Sequence, residues 1–393
     1  MARNITVGID VGTHTVKVVV AELVRNKERT FPKIIGTGAA ETKGLRHGYI
    51  MSQADAAQSI LRAVRQAEKT SGVQIKKAFV SVGGLGVSGI VTQSAVIVSR
   101  GDSEITDLDV QKTLEACENE LPSSFSLNRK VIHSVPISYK IDGRVVLGRP
   151  QGMKGMKLEA RTLFVTCLEQ HLNDLIQVLA EVGIEVEDVM AGPLAASLVG
   201  LTKTQKIAGC ILANVGAETV STVVFENNIP ISLEVFPIGS VDITHDIALG
   251  LKIPLEEAEL LKIGSEPSTP INYSRKKLEE IVDARLSDIF ELVENHLKKI
   301  GRNGLLPAGI IMTGGGSGAT NIEDVARAAL KLPTKASENQ FDADTRGFKK
   351  SVWTVAYGLC IFGFSQGDEP SVGIKIAHNT KNKILSWIKQ FLP

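Results

Sequence analysis

Apolar residues along this chain fall into short β-branched runs bounded by glycine-bearing turns, interleaved with longer stretches of helical period. ITVGID (5–10) leads into a polar turn, V-G-T-H-T, and VKVVVA leads out, which predicts a β-hairpin. The same grammar recurs in GCILAN, V-G-A-E-T and VSTVVF. A further hairpin follows at once in ENNIPISLEVF, turning on Asn227 and Asn228, because asparagine tolerates positive φ. Helical period marks ADAAQSILRAVRQAEKTSG (54–72), DVQKTLEACENEL, HLNDLIQVLAEVG and SRKKLEEIVDARLSDIFELVENHLKK (274–299), the last with Ile281, Leu286 and Ile289 among its apolar positions. AFVSVGG and KVIHSVPISYKI read as strands. GIIMT (309–313) predicts a buried strand, followed by a glycine loop and a helix with Asn321 as its cap and Asp324 in third position.

The two similar hairpins are copies. DVGTHTVKVVVAE (10–22) and NVGAETVSTVVFE (214–226) match without a gap at seven of thirteen positions, 204 residues apart. Solenoid repeats recur every 20–50 residues, so this spacing predicts a duplicated domain. Gly12 and Gly216 let a ligand approach the backbone, and Thr13, His14, Ala217 and Glu218 then present N–H groups outward. Such a nest binds an anion, most often a phosphate, and two nests would grip one phosphate chain from both sides. Asp10 beside the first turn needs a cation between itself and phosphate. Mg²⁺ held through water suits it. The loop Gly314, Gly315, Gly316 and Ser317 would let a flat ring or a phosphate rest on bare backbone; it is not a Walker A motif, since no G-K-[ST] follows.

Composition narrows the class. With 393 residues, 22% charged and 43% hydrophobic, the chain is globular and long enough for more than one lobe. A net charge of +1 implies no attraction to nucleic acid. No apolar run reaches the roughly 20 residues that span a bilayer, and no secretory signal is visible. Cys117, Cys167, Cys210 and Cys360 are far apart and form no C-x-x-C pair, so buried reduced thiols are expected rather than metal ligands.

The chain closes on NKILSWIKQFLP (382–393). On a helix at about 100° per residue, Ile384, Leu385, Trp387, Ile388, Phe391 and Leu392 share an arc of roughly 160°, with Lys383, Ser386, Lys389 and Gln390 opposite. The segment is too short to span but can lie in the interface, its lysines on anionic headgroups. Polar SQGDEPSVGIKIAHNTKNK before it reads as a flexible tether.

GIDVGTHT, LANVGAET and MTGGGSG, in this order and spacing, resemble the phosphate-1, phosphate-2 and adenosine elements of the actin/Hsp70/sugar-kinase ATPase superfamily. Within it, KGLRHGYI (43–50), RKVIHSVPISYKIDG (129–143) and GMKGMKLEARTLFVTC (152–167) are similar to segments of the bacterial cell-division FtsA family, and the resemblance extends to the tail. It implies an α/β actin-like two-lobed fold with duplicated cores. The expected subdomains are 1A at 1–83, 160–195 and 346–364, an inserted 1C at 84–159, 2A at 196–246 and 302–345, and 2B at 247–301. A tether (365–381) and a membrane-targeting helix (382–393) complete it.

The resemblance further implies ATP and Mg²⁺ as ligands, with Glu259 and Lys262, three apart on one helix face, reaching ribose and adenine. It implies filaments of the chain itself on the cytoplasmic face of the cell membrane at the division site, attached to anionic lipids. Partners would be the C-terminal peptide of FtsZ, received near Arg285 and Asp288, and later division proteins. Two departures predict slow or negligible hydrolysis and no assignable catalytic residue. Asn214 stands where many relatives have Asp, and AGPLAAS (191–197) offers no carboxylate; a general base is worth about 10² to 10⁴-fold in rate. A PilM-like pilus-assembly protein or a sugar or metabolite kinase are the alternatives; a kinase would need a base on a substrate hydroxyl and has no use for the tail.

Overall fold

The structure is a computed structural model that describes residues 4–25, 30–99, 101–265, 273–337 and 350–366. The membrane-helix expectation at 382–393, and nearly all of the tether, lie outside the described residues.

Each half of the duplication builds a five-stranded sheet. The first has the order Glu185–Ala191, Lys77–Val82, Ile5–Val11, Thr15–Arg25, Thr30–Glu41. The second has the order Thr334–Ala336, Ile310–Thr313, Cys210–Val215, Val220–Glu226, Ile229–Phe236. In both, the leading strand pairs antiparallel with its hairpin partner and parallel with the strand on its other side. The register is duplicated as well: Asp10 pairs with Lys17 and Val11 with Val16, while Asn214 pairs with Ser221 and Val215 with Val220. Asn227 (φ 50°) and Asn228 (φ 65°) form the expected turn of the following hairpin.

Helices cover both faces of the first sheet, which explains its unbroken β-branched runs. Val16, Val18 and Val20 face one core with Ile60 and Ala63 of helix Gln53–Ser71; Val19 and Ala21 face another with Ala356 and Cys360 of helix Thr354–Gln366. Ser52 caps the former helix, accepting from the Asp55 N–H, and Gly72 ends it in left-handed conformation. The halves are joined by helix Gly192–Gly200 going out and Thr354–Gln366 coming back. The returning helix lies so close to its neighbours that two positions exclude a side chain. A Cβ on Gly358 would stand 1.9 Å from the Ala195 carbonyl oxygen, and one on Gly8 would stand 2.1 Å from that of Ala356.

Between strands Lys77–Val82 and Glu185–Ala191 the chain makes a separate four-stranded antiparallel sheet, in the order Val87–Ile97, Lys157–Leu168, Arg129–Ile141, Arg144–Val146. Helix Asp107–Asn119 closes it over Ile105, Leu114, Cys117, Leu158 and Phe164. Glu159, where the sequence reading ends the insert, lies inside a strand that continues to Leu168. The insert's first strand also abuts the second sheet: a Cβ on Gly89 would stand 2.7 Å from the Leu233 carbonyl oxygen.

Helices Ser240–Leu251, Leu255–Lys262 and Arg275–Lys299 pack on the second sheet. The longest buries Val282, Leu286, Ile289, Phe290, Val293 and Leu297, the three-and-four spacing of one helical face, with Ile281 partly buried. Asn321 does stand at the start of helix Ile322–Leu330, but its side chain makes no capping bond. It sits at φ 61°, and its carbonyl, rather than its amide side chain, receives the Asp324 N–H. All four cysteines are buried and free of disulfides. Among the described residues no helix is long and apolar enough to cross a membrane.

Candidate functional site

The two copied turns face each other across a cleft of about 370 Å³ between the halves. Asp10, Gly12, Thr13 and His14 line it from the first half; Asn214, Gly216, Ala217, Glu259, Lys262 and Gly314–Gly316 line it from the second. The structure therefore brings together residues spread over more than three hundred positions of sequence.

The turns are built alike and buttressed differently. A Cβ on Gly12 would stand 3.0 Å from the Thr15 carbonyl oxygen, and one on Gly216 2.8 Å from that of Thr219. Thr42 supports the first turn, its hydroxyl donating to the Gly12 carbonyl at 2.7 Å and its N–H to that of His14 at 3.0 Å. The start of helix Ser240–Leu251 supports the second: the Ser240 and Val241 N–H groups donate to the Gly216 and Ala217 carbonyls.

Asp10 accepts from the Ser81 hydroxyl at 2.7 Å through one carboxylate oxygen, and its other oxygen lies 3.8 Å from Lys17 Nζ. Neither partner was among the residues singled out from sequence. Lys17 had a signal, being an ionisable residue inside an apolar run; Ser81 had none, since its place depends on strand order.

Glu259 and Lys262 form an ion pair at 2.6 Å, and Thr244 joins them: its hydroxyl donates to Glu259 at 2.6 Å, and Lys262 Nζ lies 2.8 Å from it. Lys262 also donates to the Ser240 carbonyl at 3.1 Å. Burial pushes the Glu259 carboxyl up, but the hydrogen bonds from Lys262 and Thr244 outweigh it and hold the group below the usual glutamate range.

At Gly314 (φ 90°) the chain crosses the end of the second sheet, where a Cβ would stand 2.4 Å from Asn214 Oδ1. Glycine at 314 and 316 is thus required by packing, a Cβ on Gly316 standing 2.5 Å from Val215 Cγ1, whereas Gly315 has room for a side chain. Ser317 does not line the cleft; its hydroxyl donates to the Gly314 carbonyl and fixes the 3-10 turn Gly315–Gly318.

Glu218 departs from expectation too. It does not line the cleft, and its carboxylate accepts the backbone N–H of His47. Arg285, outside the cleft, is held by Asp246 through two hydrogen bonds of 2.6 and 3.0 Å, with Asp288 at 3.4 Å.

Two like sheets closing on a cleft of paired turns, with the chain crossing twice between them, define the actin-like ATPase fold. Solved structures sharing it include the PilM-PilN type IV pilus biogenesis complex (TM-score 0.66, 17% identity, covering 91% of this chain and 98% of that one). Another is MreB5 of Spiroplasma citri bound to ADP (TM-score 0.52, 12% identity, 92% and 97%). These likenesses are of fold alone. The family model for "Cell division protein FtsA" matches residues 211–358, and that for "SHS2 domain inserted in FTSA" matches 87–166, the four-stranded insert. Curated FtsA proteins align over most of the chain. That of Pseudomonas aeruginosa is 27% identical over 391 residues, covering 94% of this chain and 91% of its own. That of Borreliella burgdorferi is 29% identical over 357 residues, covering 85% and 84%. Over most of its length the chain is similar to the FtsA family of cell-division proteins.

Proposed function

We propose that the cleft binds ATP with Mg²⁺ and that the nucleotide acts as a clamp between the halves, favouring a polymerising shape. The observation that carries this is the convergence of two register-matched glycine turns and a glycine loop on one cavity. The residues fit the ligand: the turns would take the phosphates, Gly314–Gly316 the base, and Glu259 with Lys262 the ribose and adenine. Asp10 and Asn214 offer oxygens to the water shell of Mg²⁺, which supplies charge neutralisation when bound. The only carboxylates lining the cleft among the described residues, Asp10 and Glu259, each face a lysine. Neither stands ready to take a proton from water, which supports slow hydrolysis.

In this reading the protein forms filaments on the cytoplasmic face of the cell membrane at the division site. It holds FtsZ there through the FtsZ C-terminal peptide and recruits later division proteins. Arg285 and Asp288 would meet the peptide, a peptide carboxylate exchanging with Asp246 on Arg285. Residues 382–393 would anchor the chain on anionic lipid, weakly as single copies and firmly when arrayed.

The test is co-sedimentation with anionic vesicles in the presence of ATP, comparing the full chain with a truncation after Gln366, the end of the returning helix. Pelleting of the full chain alone supports the tether. If both stay in solution, the membrane role falls.

A further inference from the structure

One short segment of the first half, residues 42–47, touches both copied turns. We propose that His47 is a positioning residue of the cleft: with Glu218 it forms a clasp between the halves that keeps the second turn closed and ties it to the root of the inserted domain. This rests on the nucleotide reading above.

Glu218 is central in the second turn, yet its carboxylate accepts the His47 N–H, and His47 Nδ1 lies 3.3 Å from the Glu218 carbonyl oxygen. A proton on Nδ1 makes this a second bond between the same two residues, one from each half. The equivalent residue of the first turn, His14, makes no such contact; its Nδ1 lies 2.9 Å from the hydroxyl of neighbouring Thr15. The first turn is held instead by Thr42. Segment 42–47 therefore grips both nests, one at each end.

Its far side is equally fixed. The Gly44 carbonyl accepts the Met51 and Ser52 N–H groups at the start of helix Gln53–Ser71. The His47 carbonyl accepts the Leu85 N–H at 3.1 Å, and Leu85 leads directly into the insert strand Val87–Ile97. Gly48 (φ 91°) and Gly84 (φ 74°) press backbone on backbone, a Cβ on Gly48 standing 2.5 Å from Gly84 Cα. A displacement of the second turn is passed through Glu218 and His47 to Leu85, without an intervening flexible side chain on the insert side.

The experiment uses the full chain and the variants Glu218→Ala and Glu218→Gln. It reads amide hydrogen exchange at His47 and Leu85 without nucleotide, and the dissociation rate of a fluorescent ATP analogue. Loss of the clasp is expected to speed His47 exchange and nucleotide release by about tenfold each in the alanine variant. The glutamine variant, whose amide oxygen still accepts, should recover part of both, and serves if the alanine variant does not fold. His47 exchange unchanged by Glu218→Ala overturns the clasp. Faster exchange with unchanged release overturns its role in positioning. If the wild type retains no nucleotide, the nucleotide reading and the positioning role fall together, whereas the clasp itself stands or falls on His47 exchange.

Discussion

Asp10 faces Lys17 across the first hairpin at the register position where Asn214 faces Ser221 across the second. The duplication kept the geometry and divided the chemistry. One turn carries a charge pair at 3.8 Å; the other carries two neutral side chains.

On the proposed Mg-ATP reading, that division assigns cation dependence to the first half. Asp10→Asn should weaken binding of Mg-ATP about tenfold or more, the scale of a lost charge-assisted contact, while leaving metal-free ATP little changed. Nucleotide titrations with and without Mg²⁺ check this; equal loss in both would place the cation elsewhere.

Gly314→Ala should destabilise the protein by at least about 2 kcal/mol, since the new Cβ meets both positive-φ strain and the Asn214 side chain. Chemical denaturation measures the loss, and nucleotide affinity should fall with it because the loop must move.

Lys262→Met removes the partner that holds the Glu259 carboxyl below its ordinary value of 4.5. A depressed carboxyl contributes stability that is present above 4.5 and lost as pH falls through the folded-state value. The variant should therefore be less stable than wild type at neutral pH, and the gap should narrow below 4.5. The partial exposure of Glu259 keeps the effect small. Urea melts across that range test the sign.

His133 is buried and neutral, its Nε2 accepting the Ala191 N–H at 3.0 Å, and burial pushes it down to about 3 from 6.5. Between those values the unfolded chain binds a proton that the native site refuses. This residue should cost on the order of 1 kcal/mol per pH unit well below 6.5. His296, pushed down to about 4, acts in the same direction. His133→Gln should flatten the acid limb of a stability profile; an unchanged slope would mean that His133 is protonated in the native state.

Much of this molecule was legible in its sequence, because the repeat fixes both hairpins and β-branched runs mark buried strands. The cleft residues Asp10, Gly12, Asn214, Gly216 and Gly314 could be named because turn chemistry is local. The directions of side chains were not local. Glu218 stands in sequence between two residues that line the cleft, Ala217 and Thr219, but the partner of its carboxylate, His47, lies 171 positions away. Ser81 reaches Asp10 only because their strands are neighbours in the sheet, and Asn321 failed as a cap because its backbone is left-handed.

The returning helix has a consequence for synthesis. Gly8 and Val19 precede by more than three hundred positions the residues that cover them, Ala356 and Cys360. One face of the N-terminal sheet therefore waits, apolar and uncovered, while the insert and the whole second half are translated. Closing this face is therefore a long-range event, the kind of contact that forms slowly in folding.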